Sequence, residues 1–503
     1  MHLSRALGGA IAVLTAVVAL FAAEPLSDPN TRAALDRISA ASMRGHVSFL
    51  ASDLLEGRAT PSRGLDIAAE YIAAQFRRAG LEPAIADGYF QPAPFVTLEP
   101  EKNGASFDVA AGDQKLSASA DQMTVQAVTA VSLFNAPVLK ISLDPSTVER
   151  LKPADVAGRV VAAYVARVFG PEAENRYEAI TALRKLKPGL ILLAGPAAPR
   201  QQRRRLLAAD QLSEQVPTVG VRDGEIAKAL ESANAGPLDW KIDAKLPAAK
   251  QMPITLRNVA AVLHGSDAVL KDTYILVTAH YDHVGIKQEG DGDRIYNGAN
   301  DDASGVASLV EVANAMAAMN PRPKRSVLFV ALFGEEEGLL GSAFYGRHPI
   351  VPLRSTIADI NLEQLGRTDS IDGAKVASAS FTGFDFSAVP AIFKQAGEQV
   401  GVSVYKDEKR SDPFFARSDN QALADIGIPA HTLCVAFEYP DYHAVGDEWQ
   451  KLDYDNMAKI DRMVALGVIS MANSDTAPPW NESEAKARKY AAAWHALHEE
   501  HAQ

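Results

Sequence analysis

The stretch Tyr274-Ile-Leu-Val-Thr-Ala-His280-Tyr-Asp-His283 decides the fold. Its first six residues are a short aliphatic and β-branched run, the length of a buried strand and too short for an ordinary helix. The run stops on an imidazole and a carboxylate. The same pattern recurs downstream. Ser326–Phe333 is an apolar run that ends in Gly334-Glu-Glu-Glu-Gly338, and Ile357–Leu362 ends in Glu363. Ala430–Val435 leads into a loop that carries Tyr442-His443, and Asn258–Leu263 supplies one more strand upstream. Between these runs lie segments with helical spacing, at Gly305–Met319, Phe386–Val400 and Tyr454–Met471. Alternating strands and helices imply an α/β fold with a mostly parallel central sheet flanked by helices. Such sheets bind their ligands at the carboxyl ends of the strands, which is where these acids and histidines fall.

Upstream of this region, Thr31–Leu54 and Asp66–Ala79 read as helices, the second ending at Gly80, where a helix C-terminal cap belongs. From about Phe107 to Pro247 short β-rich runs alternate with turns and helices, without clustered ligand-type residues. The basic run Arg200, Arg203, Arg204 and Arg205 reads as a solvated face. At the start, Met1–Arg5 is followed by an apolar run, Ala6–Ala23, with small residues at its end. This is the pattern of a secretory signal peptide. An exported protein is expected, periplasmic or extracellular and bacterial, with no stable membrane span after cleavage. The expected organisation is a leader at 1–23, an N-terminal part of the main domain at 24–106, an insert at 107–250, the rest of the main domain at 251–477, and a C-terminal helix at 478–503 after Pro478-Pro479.

Composition narrows the function classes. The 503 residues are 47% hydrophobic and 22% charged, as in a globular protein. A net charge of −12 argues against nucleic-acid binding, which requires clustered Lys and Arg to displace counterions. Cys434 is the single cysteine, so no intrachain disulfide can form.

Five signals carry chemistry: His280-Tyr-Asp282, Asn297-Gly-Ala-Asn-Asp301-Asp302-Ala-Ser304-Gly305, Glu335-Glu336-Glu337, Asp359-Ile-Asn-Leu-Glu363, and Tyr442-His443. Each has a plain alternative. Asp302 and Ser304 suit a helix start, and a lone loop histidine is usually at the surface. Five in one order at successive strand ends point instead to one site of two histidines and three carboxylates. Mixed nitrogen and oxygen donors without thiolate suit zinc or a similar divalent metal. A carboxylate shared by two ions would make a two-metal centre.

These motifs resemble peptidase family M28, the two-zinc exopeptidases that include bacterial aminopeptidases with an inserted protease-associated domain. The resemblance implies two Zn2+ per chain. It implies that Asp301 bridges them, with His280 and Glu363 completing one site and Glu336 and His443 the other. Asp282 would orient His280, Glu335 would be the general base, and Tyr442 would steady the oxyanion. Arg417, in Arg417-Ser-Asp419, is a weaker candidate for a substrate contact. Position 363 is Glu where many relatives have Asp, and Asn420 and Leu423 stand where relatives often have His or an aromatic residue. The runs Asp155-Val-Ala-Gly-Arg-Val-Val161 and Val216-Pro-Thr-Val-Gly-Val221 resemble the protease-associated insert. The implied activity is hydrolysis of N-terminal peptide bonds in peptides or proteins. The alternatives are glutaminyl-peptide cyclisation or carboxypeptidase action on the same fold, or a non-catalytic binding role.

Overall fold

In a computed structural model, the described residues are 26–86, 88–101, 103–119, 121–167, 171–198, 204–222 and 224–499. The expected leader, Arg200 and Arg203 lie outside them. The chain divides into two compact units, residues up to 93 together with 256–503, and residues 94–255.

The larger unit is built on the expected sheet. Four strands are parallel neighbours, in the order Ser326–Leu332, Tyr274–His280, Thr356–Leu362 and Ala430–Cys434. All but the first residue of Tyr274–His280 are buried, as are all residues of the other three. Burial on both faces is why these runs are continuously apolar rather than alternating. Antiparallel neighbours flank the parallel core. Lys250–Leu263 pairs with Ser326–Leu332 on one side, and Ser378–Phe381 pairs with Ala430–Cys434 on the other. Ser378–Phe381 and its parallel neighbour Ser403–Tyr405 were not legible as strands, because each is only three or four residues long and begins on serine.

Helices Ser304–Ala317 and Tyr454–Asn473 pack together on the sheet, and almost every residue of each is buried. A separate apolar cluster joins Leu276, Leu328, Val330 and Leu332 to Tyr345, Leu423 and Tyr490. Those three residues belong to the helical part of the chain, Tyr345 and Leu423 in Leu340–Arg347 and Asn420–Ala424 and Tyr490 in Arg488–Glu499. The helix expected over Thr31–Leu54 is broken. It runs as Pro29–Leu35 and Ala40–Leu50, and the second piece restarts on Ser39, whose side chain accepts from the Ser42 amide. Arg63–Ala79 ends as expected on Gly80, at φ 77°. Among the described residues no helix is long and apolar enough to cross a membrane.

The smaller unit contains a mixed eight-stranded sheet. Its middle is parallel, with Val131–Lys140, Val160–Tyr164, Leu190–Ala194 and Thr218–Val221 in sequence. Arg205 departs from the solvated-face reading. It is drawn in by Gln126 and Gln215, whose side-chain oxygens accept from its guanidinium at 3.3 and 3.2 Å.

One core histidine in the larger unit sets a pH dependence. His431 is buried among Phe381, Phe415 and Trp480. Its Nδ1 donates to the Thr382 carbonyl at 2.8 Å, which leaves Nε2 to accept from Ser387 Oγ at 2.6 Å. Burial pushes its pKa down from 6.5 to about 4. The unfolded chain therefore takes up this proton first as pH falls. Its contribution to stability is full above pH 6.5 and is lost as pH drops toward 4. Wild type should lose about 3 kcal/mol relative to His431→Gln over that interval, as read by urea unfolding at several pH values with chelator present. A constant difference across the interval would refute this.

Candidate metal centre

Each residue of the site stands just beyond a strand or at a helix start. His280 is the last residue of its strand. Glu335 and Glu336 follow Ser326–Leu332, Glu363 follows Thr356–Leu362, and His443 lies in the loop after Ala430–Cys434. Asp301 sits in an irregular turn that precedes helix Ser304–Ala317.

The structure brings all five sequence-identified ligand candidates together. Asp301 is at the centre. Its Oδ1 lies 3.2 Å from His280 Nε2, and its Oδ2 lies 3.1 Å from His443 Nε2. His443 Nε2 is also 3.1 Å from Glu336 Oε1. Among the described residues, metal-type donors form two groups that share Asp301. One is His280, Asp301 and Glu363, and the other is His283, Asp301, Glu336 and His443.

The surrounding chain explains the Asn-Asp-Asp run. Asp447 accepts the backbone N–H groups of Asn300 and Asp301, at 3.0 and 3.1 Å, and the Tyr439 hydroxyl at 3.0 Å. Asn300 Oδ1 accepts from the amides of Gly366 and Arg367. Asp302 Oδ1 accepts from Gly305 and from Gln364. Asp302 is thus the helix cap that local sequence allowed, and it also ties this turn to the loop of Glu363. Only Asp301 of the three acts toward the donor groups. The peptide between Asp301 and Asp302 is cis.

Asp282 lies 3.6 Å from His280 Nδ1, too far for a hydrogen bond. It accepts instead from Thr60 Oγ1 at 3.0 Å and from the Glu335 amide at 3.1 Å. It therefore links the His280 loop to the acidic loop. Glu337 is exposed. Tyr442 is partly exposed and stacks on His443, with ring centroids 4.1 Å apart.

A cavity opens over the centre. Asp301, Glu335 and Glu363 lie in its wall, with Thr382, Phe414, Phe437 and Tyr442 around them. Arg417 is in the wall too, its guanidinium over the Phe414 ring at 4.3 Å. Asn420 and Leu423 do other work. Asn420 bonds Phe415 and Thr432, and Leu423 joins the apolar core. Cys434 is buried beside the cavity, and its thiol donates toward the Gln364 carbonyl.

Three residues of this architecture carried no assigned role in the sequence. His283 stood within the quoted His-Tyr-Asp-His run, and Asp447 stood near His443 as one acid among several. Arg58 gave no signal at all. It is fully buried, and its guanidinium donates to the carbonyls of Leu50, Tyr281, Asn297 and Gly298. Leu50 is close in sequence, but Tyr281, Asn297 and Gly298 lie more than two hundred residues away, so no local pattern could reveal the set. Burial lowers its pKa to about 10, while Asp282, Asp302, Asp301 and Asp447 favour its charge.

The electrostatics fit a cation. Burial, opposed by His280 and reinforced by neighbouring carboxylates, pushes Glu335 well above the ordinary range and Glu363 up to about 7. Both ring nitrogens of His280 and of His283, with Glu336 Oε1 and Glu363 Oε2, are buried without a hydrogen-bond partner. Buried polar atoms seldom lack partners. Nitrogen and oxygen donors converging without thiolate are a zinc-type set.

Residues 258–468 match the model of peptidase family M28. The chain carries an M28 peptidase domain. It is similar to a probable zinc metalloprotease of Pyricularia oryzae, 31% identical over 212 residues, which is 40% of this chain and 39% of that protein. A probable zinc metalloprotease of Pyrenophora teres f. teres is 34% identical over 149 residues, 28% of this chain and 30% of that protein. The matched segment thus spans only 30 to 39% of these relatives' length. Among solved structures, the aminopeptidase from Aneurinibacillus sp. strain AM-1 shares the fold, with a TM-score of 0.52 at 19% identity over 87% of this chain and 95% of that one.

Because Asp447 fixes the turn that carries Asp301, Asp447→Asn should weaken zinc binding by roughly 10–100-fold. Chelator competition with a zinc indicator reads this directly, and unchanged affinity would show that the turn holds its shape without the second carboxylate oxygen.

Proposed function

We propose that this M28 domain is a two-zinc aminopeptidase that hydrolyses the N-terminal bond of peptides or proteins. The observation that carries the reading is the Asp301 carboxylate, whose two oxygens each face a different imidazole within about 3 Å, at the edge of a cavity that also contains Glu335. His280, Asp301 and Glu363 would hold one ion, and Glu336 and His443 with Asp301 the other. When bound, the ions supply Lewis acidity, which lowers the pKa of water and polarises a carbonyl oxygen.

The chain's own residues supply the rest. Glu335 accepts the proton of the attacking water and returns it to the leaving amine. The Glu335 amide donates to Asp282, which holds the loop in place. Tyr442, in the cavity wall, donates its hydroxyl to the developing oxyanion in this reading, which its position in that wall supports. Phe414 and Phe437 offer an apolar wall to a substrate side chain. Among the described residues that line the cavity, Arg417 alone is basic, and it lies over Phe414. A single basic group held over a ring does not make the basic pocket that the carboxylate of a C-terminus requires. Export rests on the leader pattern at 1–23. Assignment of 107–250 to the protease-associated type rests on its two resembling runs, which lie in or lead into the parallel strands Val160–Tyr164 and Thr218–Val221.

Glu335→Gln should bind metal like wild type and lower turnover by roughly 10²–10⁴-fold. Aminoacyl-nitroanilides and free dipeptides should be cleaved, N-acetylated peptides should not, and chelator should abolish cleavage. Near-wild-type turnover by the variant would remove Glu335 as the base, and chelator-insensitive cleavage would remove the metal mechanism.

A further inference from the structure

His283 belongs to none of the five motif assignments, yet its imidazole is fully enclosed beside Asp301. Its side chain has no exposed surface, whereas that of His443 is 37% exposed. Its Nδ1 lies 2.8 Å from Glu336 Oε1 and 3.9 Å from Asp301 Oδ2. The approach to Glu336 is close, but it is out of line for a hydrogen bond, since His283 Nδ1 and Glu336 Oε1 both lack a hydrogen-bond partner. Lone pairs that face a common point without facing each other produce this arrangement. His443 Nε2 completes the set at 3.1 Å from both carboxylates. Four donors around a tetrahedral zinc, with bonds near 2.0–2.1 Å, stand about 3.3 Å apart. The observed separations bracket that value.

The backbone makes room for the ring. Gly298 stands at φ 59°, and a Cβ there would come within 2.5 Å of His283 Cγ and Cδ2. The other side of the ring meets His443 edge-on, with centroids 5.5 Å apart. The imidazole is therefore fixed by packing, with Nδ1 turned toward the carboxylates.

Resting on the two-metal reading above, we propose that His283 is a direct metal ligand through Nδ1. The two metal positions are then unequal. Asp301, Glu336, His443 and His283 give one position four protein donors, the closed set typical of tightly held zinc. His280, Asp301 and Glu363 give the other three donors and leave a place for water or substrate, as catalytic zinc requires. The exposed loop histidine, His443, is backed by a buried partner on the same ion, so retention of that ion does not depend on the loop alone.

The test uses the full-length protein loaded with NMR-active cadmium and labelled with nitrogen-15 at histidine. Three imidazoles, those of His280, His283 and His443, should show nitrogen–cadmium coupling, and His283→Gln should remove one of them. In metal titrations, His283→Gln and His283→Asn should bind one of the two ions roughly 10–100-fold more weakly and leave the other unchanged, while His280→Gln should weaken the opposite ion. Cobalt-loaded His283→Gln should also show a changed visible absorption at the closed position. Circular dichroism of the metal-free proteins controls for folding. Only two coupled imidazoles in wild type, or two ions held at wild-type affinity with an unchanged cobalt spectrum in both variants, would overturn the role of His283 and leave the two-metal reading intact. A wild-type protein that binds no divalent metal would overturn that reading itself.

Discussion

Negative charge crowded around Asp301 is the constraint on which the rest of the larger unit depends. Asp282, Asp301, Asp302, Glu335, Glu336, Glu363, Asp419 and Asp447 interact with one another or with shared histidines, and most are fully buried. Burying like charges together costs heavily unless each carboxylate is protonated, hydrogen-bonded or matched by a cation. All three solutions are visible. Asp302 and Asp447 are raised by burial and accept backbone N–H groups. Asp301 is held low, because its histidines outweigh the cost of burial. For Glu335 and Glu363 burial outweighs the relief that His280 gives, and both are raised, which is the demand that divalent ions would meet.

Arg58 is the fixed cation that the fold itself supplies. Four carbonyl acceptors hold it, so its guanidinium works at once as a counter-charge to the acids and as a clamp on the chain around Leu50, Tyr281, Asn297 and Gly298. It ties the N-terminal helices to the two loops that carry His280 and Asp301. This makes the N-terminal segment part of the centre's scaffold rather than an appendage. Similar ties run through the acidic residues. Asp282 spans to the Glu335 loop, Asp302 to the Glu363 loop, and Asp447 to the Asp301 turn. Asp441, gripped by Arg367 and Lys451, anchors the loop of Tyr442 and His443. Each side chain that aims at the centre is therefore held by another residue from a different strand end.

Much of this was legible from residues alone. The apolar runs at Tyr274, Ser326, Thr356 and Ala430 had to be buried strands, since their continuous apolar character excludes a solvated face. The acids and histidines beyond them had to share one edge, because parallel strands place all their carboxyl ends together. The flanking strands were hidden by their shortness, and the break after Leu35 by an apolar spacing that continued across it. Asp302 was ambiguous for a physical reason, since one carboxylate can cap its own helix and accept an amide from a distant loop at once.

The sequence by itself determined the fold class and the sheet edge where acids and histidines gather, because strand periodicity and strand direction are local properties with long-range consequences. Which five of them are ligand candidates followed from the resemblance of the motifs to family M28. Only the tertiary structure decided which nearby residues join them. His283 is three residues from His280, and nothing in that spacing says that its ring turns to the Glu336 side of Asp301. That outcome requires the open space at Gly298 and the approach of the His443 loop. Arg58 and Asp447 likewise acquire their roles from partners far away in the chain. Direction of a side chain and pairing across distant loops are set by packing, which no local pattern encodes.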